Sequence, residues 1–138
     1  MIRSAVLLSL LLASTSVTAA DLKVKISDVR VHTGTISAML INSADAWNGK
    51  AEPVTGLHAK ADASGEVSLV FKDLAPGKYA IRVMHDENDN RKLDTNAVGM
   101  PTEGYGFSNN PIVMRPATFE EATFEVTEAG TTINIVLR

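Results

Sequence analysis

The sequence predicts an all-β fold, an antiparallel β-sandwich of about seven short strands with long ordered loops. Three observations lead there: apolar and polar residues alternate with period two along most of the chain, glycine-centred turn signals separate the alternating runs, and no segment carries a long helical period. A small barrel is the next architecture in line.

The chain opens on Met1-Ile2-Arg3 and an apolar run from Ala5 to Ala13 broken only by Ser9. This reads as a signal peptide over residues 1–20: its apolar core is too short to span a bilayer, and Val17-Thr18-Ala19-Ala20 offers small residues for cleavage near Ala20. The expectation is an exported protein, periplasmic or extracellular, whose mature chain over 21–138 is a single domain without an integral membrane segment. No cysteine is present, so packing must hold the domain without disulfides.

Within the mature chain, Leu22, Val24 and Ile26 alternate with Lys23 and Lys25, and Ile36, Ala38 and Leu40 alternate with Ser37 and Met39 after a turn at Thr33-Gly34. Asn42 to Val54 reads as a long loop. Leu57, Ala59 and Ala61 form a third run and Val67, Leu69 and Phe71 a fourth, joined through Ala63-Ser64-Gly65. Pro76-Gly77 suits a type II turn into a strand from Tyr79 to His85, with Tyr79, Ile81, Val83 and His85 on one face and Ala80, Arg82 and Met84 on the other. Met100 to Pro116 is crowded with Gly, Asn and Pro and reads as an ordered excursion without regular structure. One helical turn over Phe119 to Ala122, a strand from Thr123 to Val126 and a last strand carrying Ile133, Ile135 and Leu137 complete the chain.

The charge balance is mildly acidic, a formal net −3 that loses one more positive charge with Arg3. Without a Lys/Arg stripe to neutralise phosphates, nucleic acid is not expected as a partner.

Directly after the fifth run comes His85-Asp86-Glu87-Asn88-Asp89-Asn90-Arg91-Lys92-Leu93-Asp94, with oxygen-bearing side chains at alternate positions. A hard cation such as Ca²⁺ takes oxygen ligands at roughly 2.3–2.6 Å, and alternate residues of a tight turn supply them. Asp86, Asn88 and Asn90 fill the first, third and fifth places, Lys92 offers its backbone carbonyl at the seventh and Asp94 stands at the ninth. An EF-hand is excluded: Arg91 occupies the glycine place, Ala97 the place of the closing Glu, and no helix flanks the loop. Glu103 is a more distant candidate ligand. The competing reading is a metal-free turn network in which Asp and Asn bond their own backbone.

The same decapeptide, followed by Gly99-Met100-Pro101-Thr102-Glu103-Gly104-Tyr105-Gly106-Phe107-Ser108-Asn109-Asn110, resembles the signature of an exported bacterial family known as domain of unknown function 2141. Pro76-Gly77-Lys78-Tyr79-Ala80 and Pro116-Ala117-Thr118-Phe119-Glu120-Glu121-Ala122 are similar to it as well, so the resemblance covers essentially the whole mature chain. It implies export and a small β domain and brings no established activity. The family's loop resembles D-x-N-x-N-G-x-L-D, from which Arg91 departs. A looser similarity of Leu74-Ala75-Pro76-Gly77-Lys78-Tyr79 to prealbumin-like and carboxypeptidase-regulatory-like domains implies fold alone, a sandwich of the prealbumin-like or immunoglobulin-like kind.

Other constellations carry less chemistry. His32, His58 and His85 lack metal-ligand spacing, although His85 is placed to orient Asp86. Tyr105 and Phe107, with Asn109 and Asn110, form a candidate platform for a glycan, a peptide or an envelope component, or else pin a long loop to the sandwich. Trp47 is either a recognition residue or a cover over one end of the core. Glu120 and Glu121, or Asp86 and Asp94, are carboxylate pairs of the kind a glycosidase needs, but no nucleophile elbow, cysteine or zinc-helix motif is present. The sequence therefore points to a non-enzymatic binding module, with Ca²⁺ as its one candidate cofactor. A structural protein of the cell envelope comes next and a small hydrolase last.

Overall fold

The computed structural model describes residue 16 and residues 18–138, so most of the segment read as a signal peptide lies outside the described residues. Among the described residues there are eight strands: β1 Ala20–Ser27, β2 Thr35–Ile41, β3 Thr55–Lys60, β4 Val67–Leu74, β5 Gly77–Asp86, β6 Tyr105–Phe107, β7 Phe124–Val126 and β8 Thr131–Val136. Two single-turn helices join them, α1 Ala44–Trp47 and α2 Phe119–Ala122. One sheet has the order β4-β1-β8 and the other β3-β2-β5-β6, with β7 pairing the start of β5. The architecture is an all-β sandwich.

Period-two alternation puts one face of each strand inward. Leu22, Val24 and Ile26 of β1 and Val67, Leu69 and Phe71 of β4 meet Ile36, Ala38 and Leu40 of β2 and Ile81 and Val83 of β5 in one core. Tyr79 and His85 share the inward face of β5, as the alternation predicts.

Four features differ from the sequence reading. The pairing is not wholly antiparallel: β1 and β8 run parallel, with Val24 opposite Ile133 and Ile26 opposite Ile135. An eighth strand, β6, lies in the stretch read as irregular, where Arg82 pairs Phe107 and Met84 pairs Tyr105. Asn42 to Val54 is not loop throughout, because Ser43 caps α1 by accepting the Ala46 N–H. The Pro76-Gly77 turn is not type II, since Gly77 has φ +154° and already opens β5.

The outer face of the five-stranded sheet is divided. At one end α1, α2 and the chain around Ala117 cover Ile41, Ala80 and Phe107, which makes a second apolar cluster and explains why the outward Ala80 is fully buried. The other end is open.

Candidate functional site

Strand β5 delivers His85 and Asp86, both buried, to the point where the chain leaves the sheet. His85 Nε2 lies 2.7 Å from the Thr33 carbonyl oxygen. A carbonyl only accepts, so this nitrogen carries the proton and ties the β1–β2 connection to the base of the loop. Gly34, at φ +82°, passes so close that a Cβ there would overlap the Asp86 carbonyl oxygen. A larger residue is excluded on both counts.

From Asp86 the loop is built by side chains that bond backbone. Asp86 Oδ1 accepts the Asn90 N–H at 3.0 Å and Oδ2 accepts the Arg91 N–H at 2.6 Å. Asn88 Oδ1 also accepts from Asn90 N–H at 3.2 Å, and Asn90 Oδ1 accepts from Lys92 N–H at 3.0 Å. The Asn88 and Asn90 amides then converge on Asp94, donating at 2.7 Å and 2.8 Å. These bonds, Asn90 first and Asn88 next, hold the Asp94 carboxyl below its ordinary range. The chain takes positive φ at Asp89 (+56°) and at Arg91 (+65°), so the sixth place adopts the conformation that favours glycine despite its arginine.

Glu103 braces the loop from outside. It is buried, and its Oε1 accepts the Glu87 N–H at 3.0 Å while Oε2 accepts the Asp94 N–H at 2.9 Å, closing both ends of the loop with one carboxylate. Glu87 answers by accepting the Gly104 N–H at 3.2 Å.

The structure thus brings Asp86, Asn88, Asn90, Lys92 and Asp94 into one turn, with Glu103 as its strap. For a hard cation the donor types fit, being carboxylate, amide and carbonyl oxygens, but of these five residues only Asp86 and Asp94 bring carboxylates, while the turn's other two acids are engaged elsewhere, Asp89 with Thr35 and Lys60 and Glu87 with the Gly104 N–H. Among the described residues, no group of three or more His, Asp or Glu side chains is gathered in a metal-binding cluster.

The second set of candidate residues lies elsewhere and serves the framework. Trp47 is buried, donates its Nε1–H to the Ala117 carbonyl at 2.9 Å, and packs on Phe107 and Phe119 with ring centroids 5.8 Å and 6.2 Å apart. Asn109 donates to the Glu121 and Thr123 carbonyls. Asn110 donates to the Asn134 carbonyl and accepts the Val136 N–H, so its amide pairs the edge of β8 as a strand would. Tyr105 is half-buried; its backbone exchanges two hydrogen bonds with Arg138, and its ring lies edge-on to Phe107.

Sequence reasoning missed a constellation on the open end of the sheet. The β2–β3 register sets Ser37 opposite His58 and Thr35 opposite Lys60. Ser37 Oγ and His58 Nδ1 lie 2.8 Å apart, while Lys60 Nζ bonds both Thr35 Oγ1 and Asp89 Oδ2. These residues, with Met39, Arg82, Met84 and Arg91, line a groove of about 740 Å³ that runs to the loop at Asp86. Only the pairing register reveals it, since its residues come from three strands and the loop that follows β5.

Fold and site together define a small two-sheet β domain with a side-chain-braced Asx loop set at the end of an open sheet face. More particularly, residues 24–134 match the model of a family described as an uncharacterized protein conserved in bacteria (DUF2141), and the chain belongs to that family. No curated protein matches the chain, and neither does any solved structure. Among the described residues no helix is long and apolar enough to cross a membrane.

Proposed function

We propose that the protein is an exported, non-enzymatic binding module whose 86–94 loop is ordered by calcium. Asp86, Asn88, Asn90 and Asp94 supply side-chain oxygens, Lys92 its carbonyl, and Glu103 holds the loop ends in register. One observation carries this reading above all: Arg91 keeps φ +65° at the sixth place, so the chain adopts the turn that an alternate-oxygen cation loop requires even where the residue resists it. The convergence of two amides on Asp94 adds to it, because a cation there replaces the amide protons as the positive partner of that carboxylate.

With two carboxylates the affinity falls in the extracellular class, a dissociation constant on the order of 10⁻⁴–10⁻³ M. At about 10⁻⁴ M, millimolar calcium stabilises the fold by roughly 1.4 kcal/mol, a rise of a few degrees in Tm. Thermal melts in excess chelator and in several millimolar Ca²⁺ check this. Superimposable curves reject calcium and leave the loop as a metal-free turn network, the arrangement expected of a structural protein of the envelope.

A further inference from the structure

We propose that the open end of the five-stranded sheet binds a linear organic dianion, an α,ω-dicarboxylate lying along β5 with one carboxylate on Arg82 and the other on Arg91. The proposal rests on the reading of the protein as a binding module and names the surface and the ligand class; it needs no calcium in the loop.

The groove has two cationic ends and an apolar middle. The β2–β5 register lays three rows across the outer face: Met39 beside Arg82, Ser37 beside Met84, and Thr35 beside Asp86. Asp86 Oδ2 holds the Arg91 backbone, which fixes Arg91 at the far end from Arg82. Four residues of strand separate the end rows, about 13 Å. The half-buried Met84 makes the floor between them and the half-buried Met39 extends it beside Arg82, with the Ser37–His58 pair at mid-length.

Charge complementarity selects the occupant. Lys25, Arg30, Lys60 and Arg115 each have a carboxylate partner. Among the described residues neither Arg82 nor Arg91 has one, and of the several cations without a carboxylate partner these are the two that line the groove. The two acids of the groove are already engaged, Asp86 by loop N–H groups and Asp89 by Lys60 and Thr35. Arg82 lies 4.5 Å from the centre of the Trp47 ring and gives one N–H to the Trp47 carbonyl at 2.7 Å, which leaves further donors on a stacked guanidinium. Arg91 holds its place in a left-handed conformation that costs free energy and that glycine would adopt freely, a cost offset when its side chain is used. A monoanion satisfies one end only. A dianion with an aliphatic body satisfies both ends and covers the methionine floor.

The test is calorimetric titration at low ionic strength, in buffer freed of divalent metal by chelating resin, with dicarboxylates from succinate to sebacate, against octanoate and octanediol. The expected result is an optimum within the dicarboxylate series, octanoate at least about tenfold weaker and octanediol inert. Arg91→Gln and Arg82→Gln each bring the best dicarboxylate down to the octanoate level. Arg91 is exposed, so its variant carries the test if Arg82→Gln loosens Trp47. Absence of binding across the series, octanoate binding as tightly as the best dicarboxylate, or affinity unchanged in Arg91→Gln overturns the proposal. The calcium melts, run without dicarboxylate, judge the loop reading separately.

Discussion

Two long excursions leave the strands of the five-stranded sheet, and they are ordered by opposite means. Residues 87–104 are held by carboxylates and amides that bond backbone: Asp86, Asn88, Asn90 and Glu103 accept the N–H groups, while Val98 and Met100 stay exposed. Residues 108–123 rest chiefly on apolar burial, with Ala117 and Val113 packed into the cluster of Trp47, Phe107 and Phe119, although Asn109 and Asn110 add side-chain bonds and Ile112 and Met114 stay exposed. The first region depends on ionised and amide side chains that bond backbone. The second depends on shape and on water exclusion, so the two respond to different perturbations.

Removing the anchor of the apolar region has the largest effect. Trp47→Ala deletes a buried indole and its bond to Ala117, and the expected loss is about 3–5 kcal/mol by denaturant unfolding, with hydrogen exchange in 87–104 little changed. Glu103→Ala comes next, because it strands the Glu87 and Asp94 N–H groups in a partly buried setting. The expected cost is about 1–3 kcal/mol, seen as faster exchange at those two amides while Trp47 fluorescence holds.

Arg91→Gly works in the other direction. Relief of the left-handed strain gains about 1–2 kcal/mol and glycine's added chain entropy returns about 0.5–1, so a net rise of about 0.5–1 kcal/mol is expected from chemical denaturation. A fall in stability on this substitution would show that the arginine side chain contributes more than its backbone costs.

The smallest effect is a pH slope, and it qualifies the contrast because one ionised group also serves the apolar region. Arg115, then the Thr118 N–H, hold the Glu121 carboxyl down to about 2. A depressed carboxylate contributes stability that is present above its ordinary value and lost as pH falls through the folded one. Melting temperature is therefore expected to fall between about pH 4.3 and 2. The slope should be shallower in Glu121→Gln, as scanning calorimetry at stepped pH would show.

Local patterns were legible and long-range ones were not. Alternation marks β1, β2, β4 and β5 because their buried faces repeat every second residue, and the Asx loop is legible because its hydrogen-bond donors and acceptors are near neighbours. β6 is three residues, Tyr105-Gly106-Phe107, too short to show a period, and its partner is the outer edge of β5. Glu103 reaches back sixteen residues to Glu87, a relation no local spacing encodes. The Ser37–His58 pair depends on strand register, which depends on the whole hairpin. The Ser43 cap of α1 was the missed local signal, an N-cap serine with Asp45 in the first turn.

The parallel pairing of β1 with β8 makes the domain a loop closed by its own ends. Leu22 lies opposite Thr131, so β1, the middle strand of its sheet, stays half-paired until residues 131–136 reach it. Completing the fold therefore waits on one of the longest-range encounters in the domain, and that closure costs chain entropy. A chain stopped before β8 cannot complete the three-stranded sheet, however well its hairpins form.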